Sequence, residues 1–140
     1  MKEILIKPIG IIETPFKEPE DFKVPPFHPD SPYNNPNVTG ILHIDEEYVE
    51  GIKDIEANSY AMILFHFHMS PGYTITTRTH GTDKKVGVFS TRSPHRPNGI
   101  GSSIIKIISI DGNEIVFSGV DTLSGTPLLD IKPYSKNVDK

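Results

Sequence analysis

The feature that most constrains the fold is a series of short apolar segments, rich in β-branched and aromatic residues and bounded by Gly, Pro, Asn or Asp. Segments of this length and composition are typical of β-strands. The predicted strands are GIIET, VTGILHI, SYAMILFHFH, GYTITTR, VGVFS, SSIIKIISI and EIVFSGV. Many short strands with scarcely any helix predict a mainly β fold, an antiparallel barrel or a sandwich. Because alternating βα units are missing from the pattern, a doubly wound nucleotide-binding fold is not expected.

Three local patterns refine this prediction. The Asp-Gly-Asn sequence before Glu114 indicates a hairpin between the last two predicted strands. Residues 45–55 predict a short helix, with Asp45 as its N-cap and Val49 and Ile52 at helical spacing. Residues 17–37 are rich in proline yet contain three aromatic residues, which predicts a long ordered loop that packs on the rest of the protein.

Length and composition limit the possible classes of protein. With 140 residues we expect a single domain that spans residues 1–140. The absence of cysteine excludes disulfides, thiolate metal sites and cysteine catalysis. The amino terminus does not resemble a secretory signal, and the longest apolar segment is too short to span a bilayer. We therefore expect a cytoplasmic protein with no membrane association.

Charge is unevenly distributed along the chain, although the formal net charge is −4. Residues 45–56 hold six acidic side chains and one lysine, whereas residues 78–106 hold six basic side chains and Asp83. The basic segment would suit a polyanion such as RNA. Two solvated faces of opposite sign would explain the same pattern equally well.

The segment STRSPHRPNGIGSS, residues 90–103, is the strongest candidate for a binding loop. Pro94 and Pro97 restrict the residues before them to extended conformations, so donors of this loop are held on a stiff backbone. The glycines of the GIG sequence permit close approach of a ligand. A turn between strands whose arginines pair with the acidic segment is the alternative. The segment is not a dinucleotide-binding fingerprint, because Ile104 occupies the position of its third glycine.

His66 and His68 stand at alternate positions of a predicted strand and could together bind a metal ion. No carboxylate follows them before Asp83, so we predict no metal site and expect hydrogen-bonded histidines at a cleft wall.

A nucleophilic triad of Ser93 or Ser90 with His95 and Asp121 can also be drawn. Nothing like a nucleophile elbow surrounds either serine, and we do not favour it.

Three segments of this chain resemble one known family. They are GVFSTRSPHRPNGIGSS at 87–103, GVDTLSGTPLLDIKPY at 119–134 and IGIIETPFKE at 9–18. All three are similar to motifs of the TsaA-like, or TrmO, family. The resemblance implies an S-adenosylmethionine-dependent methyltransferase built on an antiparallel β-barrel, usually a homodimer with the cofactor near the subunit interface. It also implies tRNA as the substrate, with N6-methylation of threonylcarbamoyl-adenosine beside the anticodon.

The resemblance also implies roles for individual residues. The positions that match the family's cofactor contacts are Pro25, Pro26, Phe27, Phe67, His68, Arg92, Ser102, Thr122, Leu123, Ser124 and Gly125. Those that match the same signature and would bind substrate are His95, Arg96 and Asn98. Bidentate arginine would suit the cofactor carboxylate, a substrate carboxylate or a tRNA phosphate, and the sequence does not separate these roles for Arg92 and Arg96.

Methyl transfer to the carbamoylated adenine nitrogen requires a proton acceptor, because that nitrogen is weakly basic and must lose its proton during attack. The candidates are Asp121, His68 and Tyr60, in that order.

The chain departs from the family pattern on the substrate side. Pro26 and Phe27 stand where the family tends to have arginine and glutamine, and Tyr60 and Ser124 replace a histidine and an acid. Two alternatives follow: methyl transfer to a small-molecule acceptor, and a non-catalytic barrel that binds RNA or a nucleotide.

Overall fold

A computed structural model describes residues 1–24, 28–78 and 83–135. It contains eight β-strands in the described residues: β1 Gly10–Glu13, β2 Thr39–Ile44, β3 Tyr60–His66, β4 Thr76–Arg78, β5 Lys85–Gly87, β6 Ile100–Asp111, β7 Glu114–Ser118 and β8 Thr126–Pro133. Short 3-10 helices cover Pro19–Asp21, Pro32–Asn34, Glu46–Ile52, Val88–Ser90 and Pro97–Gly99.

Six strands form a closed antiparallel barrel in the order β1, β2, β7, β6, β3, β8, with β8 pairing back to β1. The other two strands, β4 and β5, form a separate two-stranded ribbon. The antiparallel barrel predicted from the strand pattern and the family resemblance is therefore confirmed.

The barrel interior follows from the alternation of side chains along each strand. In β3, Ala61, Ile63 and Phe65 are buried, whereas Tyr60 and His66 are exposed. The buried apolar core comprises Ile12, Leu42, Ile44, Ile52, Ala61, Ile63, Phe65, Ile105, Ile107, Ile115, Phe117, Val120 and Leu128. Branched aliphatic residues dominate it, as expected for a small barrel that is filled by its own side chains.

Most predicted strands are present, with three differences. β8 was not predicted, because its two prolines and polar neighbours break the alternating pattern. GYTITTR forms a strand only over Thr76–Arg78. VGVFS is divided, since β5 ends at Gly87 and Val88–Ser90 form a 3-10 helix. The predicted hairpin joins β6 to β7, and Gly112 in its turn has a φ of 61°.

The predicted helix at 45–55 is shorter than expected and is a 3-10 helix over Glu46–Ile52. Asp45 occupies the N-cap position, but its side chain makes no capping hydrogen bond. Ile52 is buried and joins the core, which accounts for the helical spacing of the apolar residues.

The proline-rich loop packs on the barrel, as its aromatic residues predicted. Phe22 stacks on Phe16 with ring centroids 4.6 Å apart. The Tyr33 hydroxyl donates a 2.6 Å hydrogen bond to the Ile104 carbonyl in β6. The third aromatic residue, Phe27, lies outside the described residues.

Candidate active site

One end of the barrel, here called the mouth, is formed where β1, β3 and β7 end and β2, β6 and β8 begin. The connections 67–99 and 119–125 both start and finish at the mouth. Because these connections contain most of the first family motif and the beginning of the second, the topology brings the two motifs to the same end of the barrel.

The 119–125 connection is fixed against the end of β1 by backbone and hydroxyl hydrogen bonds. The Ser124 N–H donates to the Phe16 carbonyl at 2.7 Å. The Thr14 hydroxyl donates to the Thr122 carbonyl at 2.9 Å, and the Thr14 N–H donates to the Ser124 hydroxyl at 3.2 Å. The residues that flank Asp121 are therefore held on a stiff backbone at the mouth.

Asp121 lies in this connection, three residues after the end of β7, and its carboxyl group is buried. Its Oδ2 accepts a 3.2 Å hydrogen bond from the Ser103 hydroxyl, which lies on the inner face of β6. Its Oδ1 is buried and finds no hydrogen-bond donor among the described residues, and the same holds for the Thr122 hydroxyl oxygen. Burial raises the pKa of Asp121 from 3.8 to about 6, although the Ser103 hydrogen bond and Arg92 oppose the rise.

Arg92 lies on the outside of the same part of β6. Its Nη2 donates to the Ser102 carbonyl at 2.7 Å and approaches the Ser102 hydroxyl at 3.4 Å. The guanidinium is close enough to Asp121 to lower the pKa of that carboxyl. The structure therefore brings the base candidate Asp121 together with Thr122, Arg92 and Ser102, which the family resemblance assigned to the cofactor.

Two tyrosines border this cluster. Burial and the nearby Asp121 carboxylate raise the pKa of Tyr33. Tyr60, a candidate base from the sequence, is 53% exposed on the outer face of β3. Both line an open depression of about 280 Å³ together with Ile104 and Lys106. Tyr60 thus faces solvent next to the cluster, and its phenol is less enclosed than the Asp121 carboxyl.

Phe67 and His68 lie just beyond the end of β3. The Phe67 N–H donates to the Gly99 carbonyl at 2.7 Å, and the His68 N–H donates to the His66 carbonyl at 2.8 Å. This tight turn carries the His68 imidazole towards Gly125, where a Cβ built on the glycine would lie 3.8 Å from Nε2. Partial burial, and secondarily His66, lower the pKa of His68, so the ring is neutral at neutral pH.

The two histidines considered as metal ligands, His66 and His68, do not lie in the same strand. β3 ends at His66, so the two side chains are not alternate residues of one strand. Within residues 1–24, 28–78 and 83–135, no group of three or more His, Asp or Glu side chains could hold a metal ion.

The backbone conformation of residues 97–101 explains why the sequence there is PNGIG. Asn98 has a φ of 67° and Gly99 a φ of 55°, a left-handed pair that Asn and Gly tolerate best. At Gly101 the rings of Phe65 and Phe67 approach within 2.5 and 2.6 Å of where a Cβ would stand. The glycines thus let β6 start directly against the aromatic residues at the end of β3.

The three residues assigned to substrate lie on the other side of this turn. Arg96 and Asn98 line an open depression of about 220 Å³ with Phe67, Ser70 and Tyr73. Nδ1 of His95 hydrogen bonds the Ser70 hydroxyl at 2.7 Å. Arg96 has the extended backbone that Pro97 predicted, with φ of −133° and ψ of 157°. Phe67 and Gly99 line the same depression, so these residues form a second group at the end of β3.

Several sequence predictions have other outcomes. Pro25, Pro26 and Phe27 lie outside the described residues. Leu123 is half-buried, and its carbonyl accepts from the Thr126 hydroxyl. The triad is not supported, because the side-chain hydrogen bonds of His95 and Asp121 lead to Ser70 and Ser103, and Ser93 meets His95 only through the His95 backbone N–H.

Sequence reasoning missed Ser103, Tyr33 and Ser70. Ser103 could have been found, since it is a polar residue at an inward position of β6 between Gly101 and Ile105. Tyr33 and Ser70 carried no such signal. The partner of Tyr33 is 71 residues distant and that of Ser70 is 25 residues distant, so only the fold reveals them.

Comparison with known proteins identifies the family. Residues 11–140 match the tRNA-methyltransferase O N-terminal domain. The chain belongs to the TrmO family. The two motifs at 87–103 and 119–134 therefore indicated the family correctly.

The relatives named here agree with the enzyme class and the cofactor that the resemblance implied. A probable S-adenosyl-L-methionine-binding protein of Pyrococcus abyssi is 40% identical over 136 residues, which are 97% of this chain and 71% of that protein. A mouse tRNA (adenine(37)-N6)-methyltransferase is 43% identical over 88 residues, which are 61% of this chain and 20% of that protein.

A crystal structure of TrmO from Pseudomonas aeruginosa has the same fold, with a TM-score of 0.78 and 34% identity. The match covers 100% of this chain and 58% of the crystallised one. The chain therefore spans little more than half the length of that TrmO.

Proposed function

We propose that this chain is an S-adenosylmethionine-dependent methyltransferase that acts on N6 of adenosine in tRNA, with threonylcarbamoyl-adenosine beside the anticodon as the preferred acceptor. The observation that carries the proposal is the Asp121 carboxyl, which is buried at the mouth with one oxygen that no described residue satisfies.

Asp121 has the properties of a general base for this reaction. A catalytic base works best when its pKa lies near the operating pH, and burial raises the pKa of Asp121 to about 6. The carboxyl is ionised at neutral pH yet more basic than an exposed aspartate. Ser103 holds one oxygen, which leaves Oδ1 to accept the proton that the acceptor nitrogen must lose.

His68 and Tyr60 remain secondary candidates for this role. His68 is neutral at neutral pH and lies next to Gly125. Tyr60 is 53% exposed on the outer face of β3, where its phenol is open to solvent.

The mouth suits the methyl donor chemically. S-adenosylmethionine, when bound, supplies an activated methyl group, so the protein must mainly bind, orient and exclude water. Arg92 carries N–H donors beyond the one that contacts Ser102, and these would bind a carboxylate. The unsatisfied Thr122 hydroxyl would hold a further polar group of the donor, whereas the Ser124 and Gly125 N–H groups already donate to the Phe16 and Ile12 carbonyls.

The test is transfer of a deuterated methyl group from labelled S-adenosylmethionine to tRNA from a strain that lacks this protein, followed by nucleoside mass spectrometry. We expect the label on N6-methylated threonylcarbamoyl-adenosine. Asp121→Asn should reduce single-turnover transfer by about a hundredfold, within the usual range for loss of a general base. The matched control is Asp111→Asn, which alters an exposed carboxyl where β6 ends, away from the mouth.

Label on a small metabolite and none on tRNA would replace the tRNA assignment with the small-molecule alternative. An Asp121→Asn variant as fast as wild type would exclude Asp121 as the base.

We further propose that residues 1–140 act as one domain in a cytoplasmic homodimer, the arrangement that the family resemblance implies. No helix in the described ranges is long and apolar enough to cross a membrane. Sedimentation analysis of the purified chain tests the dimer: a species of twice the 15.6 kDa chain mass is expected, and a monomer at all concentrations contradicts it.

A further inference from the structure

Two large aromatic side chains project into solvent on either side of Arg96. Phe89 is 73% exposed and Tyr73 is 60% exposed. Aromatic residues of this size usually bury most of their surface, so paired exposure near one cation indicates a binding surface.

Arg96 is held beside the Phe89 ring. Its Nη1 donates to the Thr91 carbonyl at 2.8 Å, and its guanidinium carbon lies 5.9 Å from the centroid of the Phe89 ring. Tyr73 lines the same depression as Arg96 and Asn98. The cation is therefore positioned beside the Phe89 ring before any ligand arrives, which lowers the entropic cost of binding.

The adjacent ribbon of β4 and β5 carries positive charge on its outer face. Arg78 pairs directly with Lys85 in the register of the two strands. Thr77 and Val86 are half-buried, so the alternation of the strands places Arg78 and Lys85 on the opposite, solvent-facing side. Like charges directly opposite each other destabilise a strand pair. Asp83 offsets part of this charge, because its Oδ1 lies 3.6 Å from Nη1 of Arg78 and its carbonyl accepts a 2.7 Å hydrogen bond from the same nitrogen.

Backbone hydrogen bonds join the ribbon to the segments that carry Phe89 and Arg96. The Val88 N–H donates to the Ile75 carbonyl at 2.8 Å, which extends the strand pairing by one step to the residue before Phe89. The Thr74 N–H donates to the His95 carbonyl at 3.3 Å, which ties the start of β4 to the loop that carries Arg96.

We propose that this ribbon surface, defined by Tyr73, Arg78, Lys85, Phe89 and Arg96, binds single-stranded RNA nucleotides that flank the methyl-accepting base. Unpaired bases stack on Phe89 and Tyr73, and Arg78 and Lys85 contact the phosphates. Exposed rings next to a row of cations are the usual means by which proteins bind unpaired nucleic acid. The inference rests on the proposed function and extends it by naming the residues that hold the RNA.

The experiment is fluorescence anisotropy with a labelled single-stranded RNA of about ten nucleotides, a length within the range such sites cover. The whole chain is used without S-adenosylmethionine, and a duplex of the same sequence serves as a second probe. We expect the single strand to bind more tightly than the duplex. Phe89→Ala and Tyr73→Ala should each weaken single-strand binding about tenfold, as expected for one lost stacking contact.

Matched variants separate stacking from folding and from plain hydrophobicity. Phe89→Trp keeps an aromatic ring and should retain affinity for the single strand. Phe89→Leu keeps an apolar side chain without a ring and should lose that affinity. Ile11→Ala removes another exposed apolar side chain, 52% exposed on β1, and should leave binding unchanged. Lys85→Gln should reduce the slope of log affinity against log salt by about one, the value for one lost phosphate contact.

Failure of this inference and failure of the proposed function are distinguishable. If Phe89→Ala and Tyr73→Ala bind the single strand as tightly as wild type, the ribbon surface is not the RNA site, and labelled methyl transfer by wild type would still support the proposed function. If these variants lose RNA binding while wild type transfers no methyl group, the ribbon surface stands and the methyltransferase proposal fails.

Discussion

At the scale of single residues, the proposed function depends on a carboxyl group that folding makes less acidic. Asp121 has an ordinary pKa of 3.8 in water and a pKa of about 6 in the folded protein. The ionised form is therefore less stable in the fold than in the unfolded chain, and the difference of about two pKa units corresponds to about 3 kcal/mol. In the proposed mechanism, the base at the barrel mouth therefore lowers the free energy of unfolding.

Replacing Asp121 by asparagine should stabilise the protein in a pH-dependent way. Above pH 6 the wild type bears the full cost of the buried charge, and that cost disappears as pH falls from about 6 to below 3.8. We expect Asp121→Asn to raise the free energy of unfolding by about 1 to 3 kcal/mol at pH 8 and by almost nothing near pH 3.5. Urea unfolding at both pH values measures this, and equal stability at pH 8 would show that the carboxyl is not destabilised by burial.

Arg92 should determine affinity for the methyl donor. Its guanidinium contacts Ser102 through Nη2 and has further N–H donors. Arg92→Ala should weaken S-adenosylmethionine binding by at least tenfold in calorimetry, in line with about 1.5 to 3 kcal/mol for a hydrogen bond to a charged group. Arg92→Lys should recover only part of the loss, because an ammonium lacks the planar fork. Unchanged affinity in Arg92→Ala would remove this residue from the cofactor site.

At the scale of elements, the junction of β3 and β6 shows what sequence patterns predict and what they do not. Alternation identified both strands, because each has a buried face of apolar residues. It placed His68 in β3, yet β3 ends at His66. The turn after His66 depends on the Phe67 to Gly99 hydrogen bond, and a contact between residues 32 positions apart leaves no local periodicity.

Local sequence patterns also fail to predict β8 and the type of helix that follows Asp45. β8 has two prolines, and it is recognisable only from its pairing with β1 and β3. The helix has the predicted start and apolar spacing, but the chain forms a 3-10 helix over Glu46–Ile52. Tertiary packing of Ile52 therefore fixes this element more strongly than local propensity does.

Gly101 should tolerate no side chain. A Cβ at this position would stand 2.5 Å from the Phe65 ring and 2.6 Å from the Phe67 ring, so both aromatic residues would have to move. Gly101→Ala should lower stability by about 1 to 3 kcal/mol, the usual cost of overpacking a core. Gly51→Ala is the control, because a Cβ there meets nothing within 4 Å. Thermal unfolding of both variants tests this, and equal melting temperatures would contradict the close packing at the mouth.

At the scale of the whole molecule, barrel closure creates the site. Closure pairs β1 with β8 and places the connections 67–99 and 119–125 at one mouth, although they are far apart in sequence. Both family motifs contribute residues to this mouth. The sequence could not show that Asp121 would be buried against Ser103, or that Arg96 would lie between Phe89 and the depression lined by Tyr73.

The central claim is that the methyl donor binds at this mouth. The most direct measurement is a crystal structure of the chain with S-adenosylhomocysteine, the product that remains after methyl transfer. If the methyl donor binds at the mouth, we expect ligand density between His68 and the 122–125 segment, with the Arg92 guanidinium in contact with the ligand. Density at a different part of the barrel, or a mouth that stays empty at saturating ligand, would contradict it.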